Sequence, residues 1–186
     1  RRMADAKYTI FITGSNAKML SGEINTTLGG RFLIAEVYPY SFKEFLAVHQ
    51  VSTGEIDLLA TEGRARVVRT FDEYLRYGGL PAAALLPAKR DYLSSVYQKI
   101  YMGDIIARNK ITNVSGIRVL VRKMAESVCR PISYNRINNL LSSVGGKLSL
   151  ATTIKYVEYC EEAWLLLRLR NYASTLADKE SNCKYY

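Results

Sequence analysis

Cysteine is scarce in these 186 residues: Cys129, Cys160 and Cys183 make an odd count with no Cys-x-x-Cys pair. A disulfide framework and the common zinc spacings are therefore not indicated. Histidine is scarcer still. His49 stands alone, which removes most imidazole-based metal and acid–base chemistry. No window approaches the roughly 18 consecutive apolar residues of a membrane-spanning helix. The opening Arg1, Arg2, Met3, Ala4 and Asp5 leads into no apolar run of the signal-peptide kind. A cytoplasmic setting without membrane contact is the expectation. With no nucleophile–base pair and no metal cluster in the sequence, a stand-alone enzyme has little to build with.

What is abundant is positive charge, with 26 Lys and Arg against 17 Asp and Glu, a formal net of +9. Basic chains gain affinity for polyanions by releasing counterions, and nucleic acid is the commonest cytoplasmic polyanion. A hydrophobic share of 48% and a charged share of 23% permit a packed core. The length accommodates one medium domain or two small ones.

Along the chain, residues 8–13 are β-branched and aromatic on both faces, as in a buried strand of a parallel sheet, and Gly14 and Ser15 stop the run. Residues 16–28 carry Met19, Leu20, Ile24 and Leu28 at helical spacing and end on Gly29 and Gly30. A second strand is expected over 32–38, closed by Pro39. Strand, helix and parallel strand form one βαβ unit, too small to cover both faces of its sheet, so its remainder is expected upstream. Ser41 and Glu44 form a capping box that opens a helix toward His49. Residues 53–63 read as a loop with a helical turn, and 64–77 as a helix broken by Gly78, Gly79 and Pro81. One long helix is expected from Lys89 to about Arg108.

The last third has a different pattern. Ile117, Leu120, Val121, Met124 and Val128 mark an amphipathic helix closed by Pro131. Ser133 caps a second helix over 134–141, and Ser149 caps a third that runs to about Ala163. Residues 164–170 read as a strand that 183–186 can pair with. Three helices followed by a hairpin is the order of a winged helix-turn-helix.

Two polar features stand at places where chemistry is commonly done. Ser15 and Asn16 follow the carboxyl end of the first strand, where open α/β sheets bind ligands, although capping the next helix is the commoner use of such residues. Arg31 follows Gly29 and Gly30, a presentation that suits a phosphate-reaching arginine, although a solvated surface arginine is the commoner use of such a position. Lys89, Arg90, Arg118, Arg122 and Lys123 read as solvated charges.

Taken in order, several short runs resemble one family. They are Phe11 to Asn16, Leu28-Gly29-Gly30-Arg31, Val37 to Phe45, Tyr77 to Pro81, Gly103-Asp104-Ile105 and Lys184-Tyr185-Tyr186. Together they resemble the bacterial and archaeal AAA+ ATPases that read TGS, then L-x-GR, then YPLSFxEF, and they cover nearly the whole chain. The family usually has leucine where Tyr40 stands. The resemblance implies an α/β remnant of a P-loop AAA+ core over residues 1–40. A helical lid over the ATP site follows at 41–110, and a winged-helix region with the start of a further strand at 111–186. It implies that Ser15 and Asn16 are sensor 1, placing the attacking water, and that Arg31 is an arginine finger acting on a neighbouring subunit of a homo-oligomer. Lys184 to Tyr186 is then either the wing or the first strand of a nuclease-like domain.

Neither a Gly-x-x-x-x-Gly-Lys-Ser/Thr loop nor an apolar strand ending in Asp-Glu occurs in these residues. Gly145-Gly146-Lys147 lacks the upstream glycine and strand. The phosphate loop and the Mg²⁺ carboxylates are therefore expected N-terminal to residue 1. ATP and Mg²⁺ would belong to the full-length protein, and this stretch alone would hold neither and be inactive. The competing reading is a winged-helix binding module with no ATPase role. For DNA, its contacts would be Lys147, Thr152, Thr153 and Lys155 on and before the third helix, with Arg168 and Arg170 on the wing. For protein, Tyr156, Glu158 and Tyr159 suit equally.

Overall fold

The computed structural model describes residues 8, 9, 11, 13, 33, 35–54, 59–144, 148–172 and 175–186. The chain divides into two compact units, Leu33–Lys99 and a second made of Arg1–Phe32 with Ile100–Tyr186. The described residues are mostly helical, with one two-stranded sheet. None of their helices is long and apolar enough to cross a membrane.

The strands expected over 8–13 and 32–38 are not found among the described residues. Tyr8, Thr9, Phe11, Thr13, Leu33 and residues 35–38 pair with no strand and are exposed. A pair of strands apolar on both faces gains its stability from further strands and covering helices, and no such layers occur among the described residues.

In the unit Leu33–Lys99, regular structure starts where the capping box was expected. Ser41 Oγ accepts from the Glu44 N–H at 3.4 Å, and the Glu44 carboxylate accepts from the Ser41 N–H at 2.8 Å. These bonds open helix α1 (Phe42–Val48). Helix α2 (Thr61–Tyr77) starts three residues before the expected 64, because Ala60 is extended and Thr61 to Gly63 join the first turn. Phe42 and Phe45 of α1 meet Phe71 and Tyr74 of α2, with ring centroids 5.1 to 5.4 Å apart. Gly78, at φ 72°, ends α2 in a conformation that glycine adopts without strain. Gly79 then approaches Tyr40: the Tyr40 N–H donates to the Gly79 carbonyl at 2.7 Å, and the Tyr74 hydroxyl donates to the Tyr40 carbonyl at 2.9 Å. A Cβ on Gly79 would collide with that Tyr40 carbonyl. Since Tyr40 makes both bonds with its backbone, the departure from leucine there leaves them intact. Pro81 starts the short helix α3 (Pro81–Leu85), where its missing N–H is not needed.

Helix α4 (Lys89–Gln98) follows. Lys89, read as solvated, is a correction. Its ammonium donates to the carbonyls of Ala83 and Ala84 at 2.8 and 2.7 Å and pairs with Glu73 at 3.2 Å, with only 15% of the side chain exposed. The cation serves the carbonyl end of α3. The single long helix expected to Arg108 is also corrected. From Lys99 to Ala107 the chain is π-helical, so that the Arg108 N–H donates to the Gly103 carbonyl five residues back. The Asn109 carboxamide donates to the Asp104 and Ile105 carbonyls at 3.3 and 2.9 Å and satisfies that end.

In Ile100–Tyr186, helix α5 (Val114–Glu126) is capped by Asn113, helix α6 (Tyr134–Val144) by Ser133 and helix α7 (Leu150–Glu162) by Ser149. Ile117, Leu120 and Met124 of α5, Ile137 and Leu141 of α6, and Val157 and Cys160 of α7 are essentially fully buried in one core with Tyr101 and Ile105. Strand β1 (Arg168–Leu169) pairs antiparallel with β2 (Lys184–Tyr185), Arg168 opposite Tyr185 and Leu169 opposite Lys184. Pro131, between α5 and α6, bridges Lys184 on the other side of β2. A five-residue helix, α8 (Leu176–Glu180), lies in the connection between the strands.

Candidate nucleic-acid interface

Ser15, Asn16, Arg31 and Lys147 lie outside the described residues. The expected contact residues that are described sit on α7, on β1 and, for Arg170, one residue past β1.

The Ser149 hydroxyl accepts from the Thr152 N–H at 3.1 Å and lies 2.8 Å from the Thr152 hydroxyl, so Thr152 is engaged in the cap and only half-exposed. Thr153 is a correction. It is wholly buried, and its hydroxyl donates to Asn138 Oδ1 on α6 at 2.8 Å. A buried hydroxyl needs such a partner, and here the bond ties α7 to α6 rather than facing a ligand. Tyr156 is likewise corrected as a contact candidate, being 7% exposed within the core. Residues 153, 156, 157 and 160 follow the i, i+3, i+4, i+7 pattern of an inward stripe, so the periodicity already placed Thr153 and Tyr156 inside. Lys155 and Glu158 are exposed and Tyr159 is half-exposed. From Leu150 to Glu162, α7 has one lysine against Glu158, Glu161 and Glu162, so its surface is net acidic.

Arg168 of β1 and Arg170 just beyond it are engaged as well. Glu180, at the end of α8, accepts from Arg168 Nη2 at 2.7 Å with one carboxylate oxygen and from Arg170 Nε at 2.9 Å with the other. Arg168, expected to be freely exposed, keeps only 20% of its side chain accessible, a further correction, whereas Arg170 keeps 66%. Hairpin folding brings Glu180 onto arginines ten and twelve residues earlier, and no local spacing announces such a contact. Beside them the Tyr185 hydroxyl donates to the Tyr134 hydroxyl at 3.2 Å, and burial raises the Tyr185 pKa above the usual phenol value. Burial also pushes the Cys160 thiol up to about 12, and Cys183 is covered too, leaving Cys129 as the exposed cysteine. No metal-holding cluster of His, Cys, Asp and Glu occurs among the described residues.

Residues 68–186 match the family model described as Domain of unknown function (DUF8612), and the chain belongs to that family. Residues 1–46 match a model described as AAA domain. An uncharacterised protein of Methanocaldococcus jannaschii is 33% identical over 93% of this chain and 40% of its own length. An uncharacterised protein of Haemophilus influenzae is 32% identical over 88% of this chain and 39% of its own length. The chain thus spans about two-fifths of the curated relatives it matches. No solved structure matches it.

Proposed function

We propose that this chain is the C-terminal end of an AAA ATPase motor core joined to a helical lid and a winged helix, working as part of an ATP-driven switch. The observation that carries the reading is the AAA domain match over residues 1–46, followed in the same chain by the DUF8612 match over residues 68–186. On this reading Ser15 and Asn16 position the attacking water, and Arg31 reaches the γ-phosphate bound by a neighbouring copy in a homo-oligomer. Residues 41–110 form the lid. The winged-helix part of the proposal, residues 111–186, is supported by three helices followed by an antiparallel ribbon, with Pro131 bridging β2 on its free edge.

ATP and Mg²⁺ enter only with the phosphate loop and acidic strand end that these residues lack. Residues 1–186 alone are therefore expected to show no micromolar ATP affinity by calorimetry and no phosphate release, whereas the full-length protein does both. Turnover by the isolated 186 residues, or a full-length protein inert to ATP, overturns the proposal.

A further inference from the structure

Positive charge is not spread evenly through the C-terminal unit. Residues 105–157 carry nine cations and one acid, Glu126, while residues 158–186 carry four cations and five acids. The third helix and ribbon, where a winged helix would be expected to meet DNA, are therefore the acidic and neutralised part. Five of those nine cations, Arg118, Arg122, Lys123, Arg130 and Arg136, lie on α5, α6 and the turn between them, with Glu126 as the one acid there.

We propose that the unit binds the sugar-phosphate backbone of duplex nucleic acid through this helix pair, with Arg118, Arg122, Arg130 and Arg136 as the contacts. Arg118 and Arg122 stand four apart on α5, one turn above the other, and opposite the buried Ile117, Leu120 and Met124. Arg122 is 84% exposed and shares only the loosely held Glu126, at 3.6 Å, with Lys123. Arg118, Arg130 and Arg136 are exposed and form no ion pair among the described residues. Arg136 sits in the first turn of α6, which has no acidic residue, so its charge opposes the helix dipole rather than supporting the fold. Its exposed neighbours on α6 are Asn135, Asn139 and Ser143, hydrogen-bonding side chains of the kind that meet phosphates and base edges. A membrane surface would instead call for large apolar anchors among the cations.

The inference rests on the winged-helix reading only for its choice of a duplex. Its test is independent of ATP turnover, so either can fail alone. Fluorescence anisotropy of a labelled DNA duplex would be followed across a salt series with the full-length protein, without nucleotide. Three variants are compared with the parent: the four arginines changed to alanine, the same four changed to lysine, and Lys155→Ala with Arg168→Ala and Arg170→Ala. The alanine quadruple variant should flatten the log–log salt slope by about 3–4, so that between about 50 and 200 mM salt the parent loses roughly 10²-fold more affinity than the variant. The lysine variant should keep the parental slope, which separates lost charge from lost folding, and the third variant should stay near the parent. A parental slope in the alanine variant overturns the proposal, as does a slope lost only in the third variant. A parent that binds polyglutamate but no duplex at low salt overturns it equally, in favour of an acidic protein partner.

Discussion

The two units use their sequence motifs and charges differently. Leu33–Lys99 has eight cations and eight acids, and within its most distinctive runs Tyr40 to Phe45 and Gly78-Gly79 make internal contacts, while Val37 and Tyr38 are exposed. Tyr40 meets Gly79 through the backbone, Tyr74 reaches Tyr40, and Lys89 is spent on carbonyls. Residues 100–186 have thirteen cations and seven acids, and several arginines are left without an internal partner among the described residues. The lesson is that a recurrent motif need not mark a contact surface. In the first unit the motif residues hold the fold, and in the second the surface residues outside any motif are those with charge to spare.

Gly79→Ala should break that contrast most sharply. The added Cβ meets a backbone carbonyl that cannot swing away, and we expect a loss of about 3 kcal/mol in denaturant unfolding, with duplex affinity unchanged. Lys89→Ala leaves two helix-end carbonyls and Glu73 without their cation and should cost about 2 kcal/mol by the same measurement, the side chain being mostly buried. In the other unit Thr153→Val should cost about 1 kcal/mol through the stranded Asn138 and leave duplex binding alone, which distinguishes a packing threonine from a contact threonine. Thiol labelling of the native protein should modify Cys129 and spare Cys160 and Cys183 until denaturant is added. Rapid labelling of Cys160 would contradict its burial. The smallest effect concerns Glu44. The Ser41 N–H lowers its carboxyl below the ordinary 4.5, so the cap's contribution is fully present above that pH and is lost as pH falls through the lowered value. A slight loss of far-UV helix signal below pH 4.5 would register it, and Ser41→Ala should remove that pH dependence.

Local signals were legible and non-local ones were not. The caps at Ser41, Ser133 and Ser149 and the glycine stop at Gly78 place helix ends within a few residues, because each acts over one turn. The ribbon between 168–169 and 184–185 falls where the apolar run ending at Arg170 and the last residues suggested it. What escaped was set by tertiary pairing: the Glu180 carboxylate on two arginines, Lys89 on the end of α3, and the π-helical turns from Lys99 to Ala107, where 3.6-residue spacing gave no warning. Thr153 shows that a polar side chain on an inward helical stripe is buried with a hydrogen-bond partner rather than presented to a ligand.

The central claim, that this chain carries the finger end of an AAA motor, is tested most directly by mixing subunits. Full-length protein bearing Arg31→Ala should bind ATP nearly as the parent does but hydrolyse it about 10³-fold or more slowly. Doping this variant into a phosphate-loop-dead partner that retains Arg31 should restore turnover if, as proposed, the finger of one copy serves the nucleotide of the next. Parental hydrolysis by Arg31→Ala alone, or no recovery at any mixing ratio of the two variants, would contradict the account.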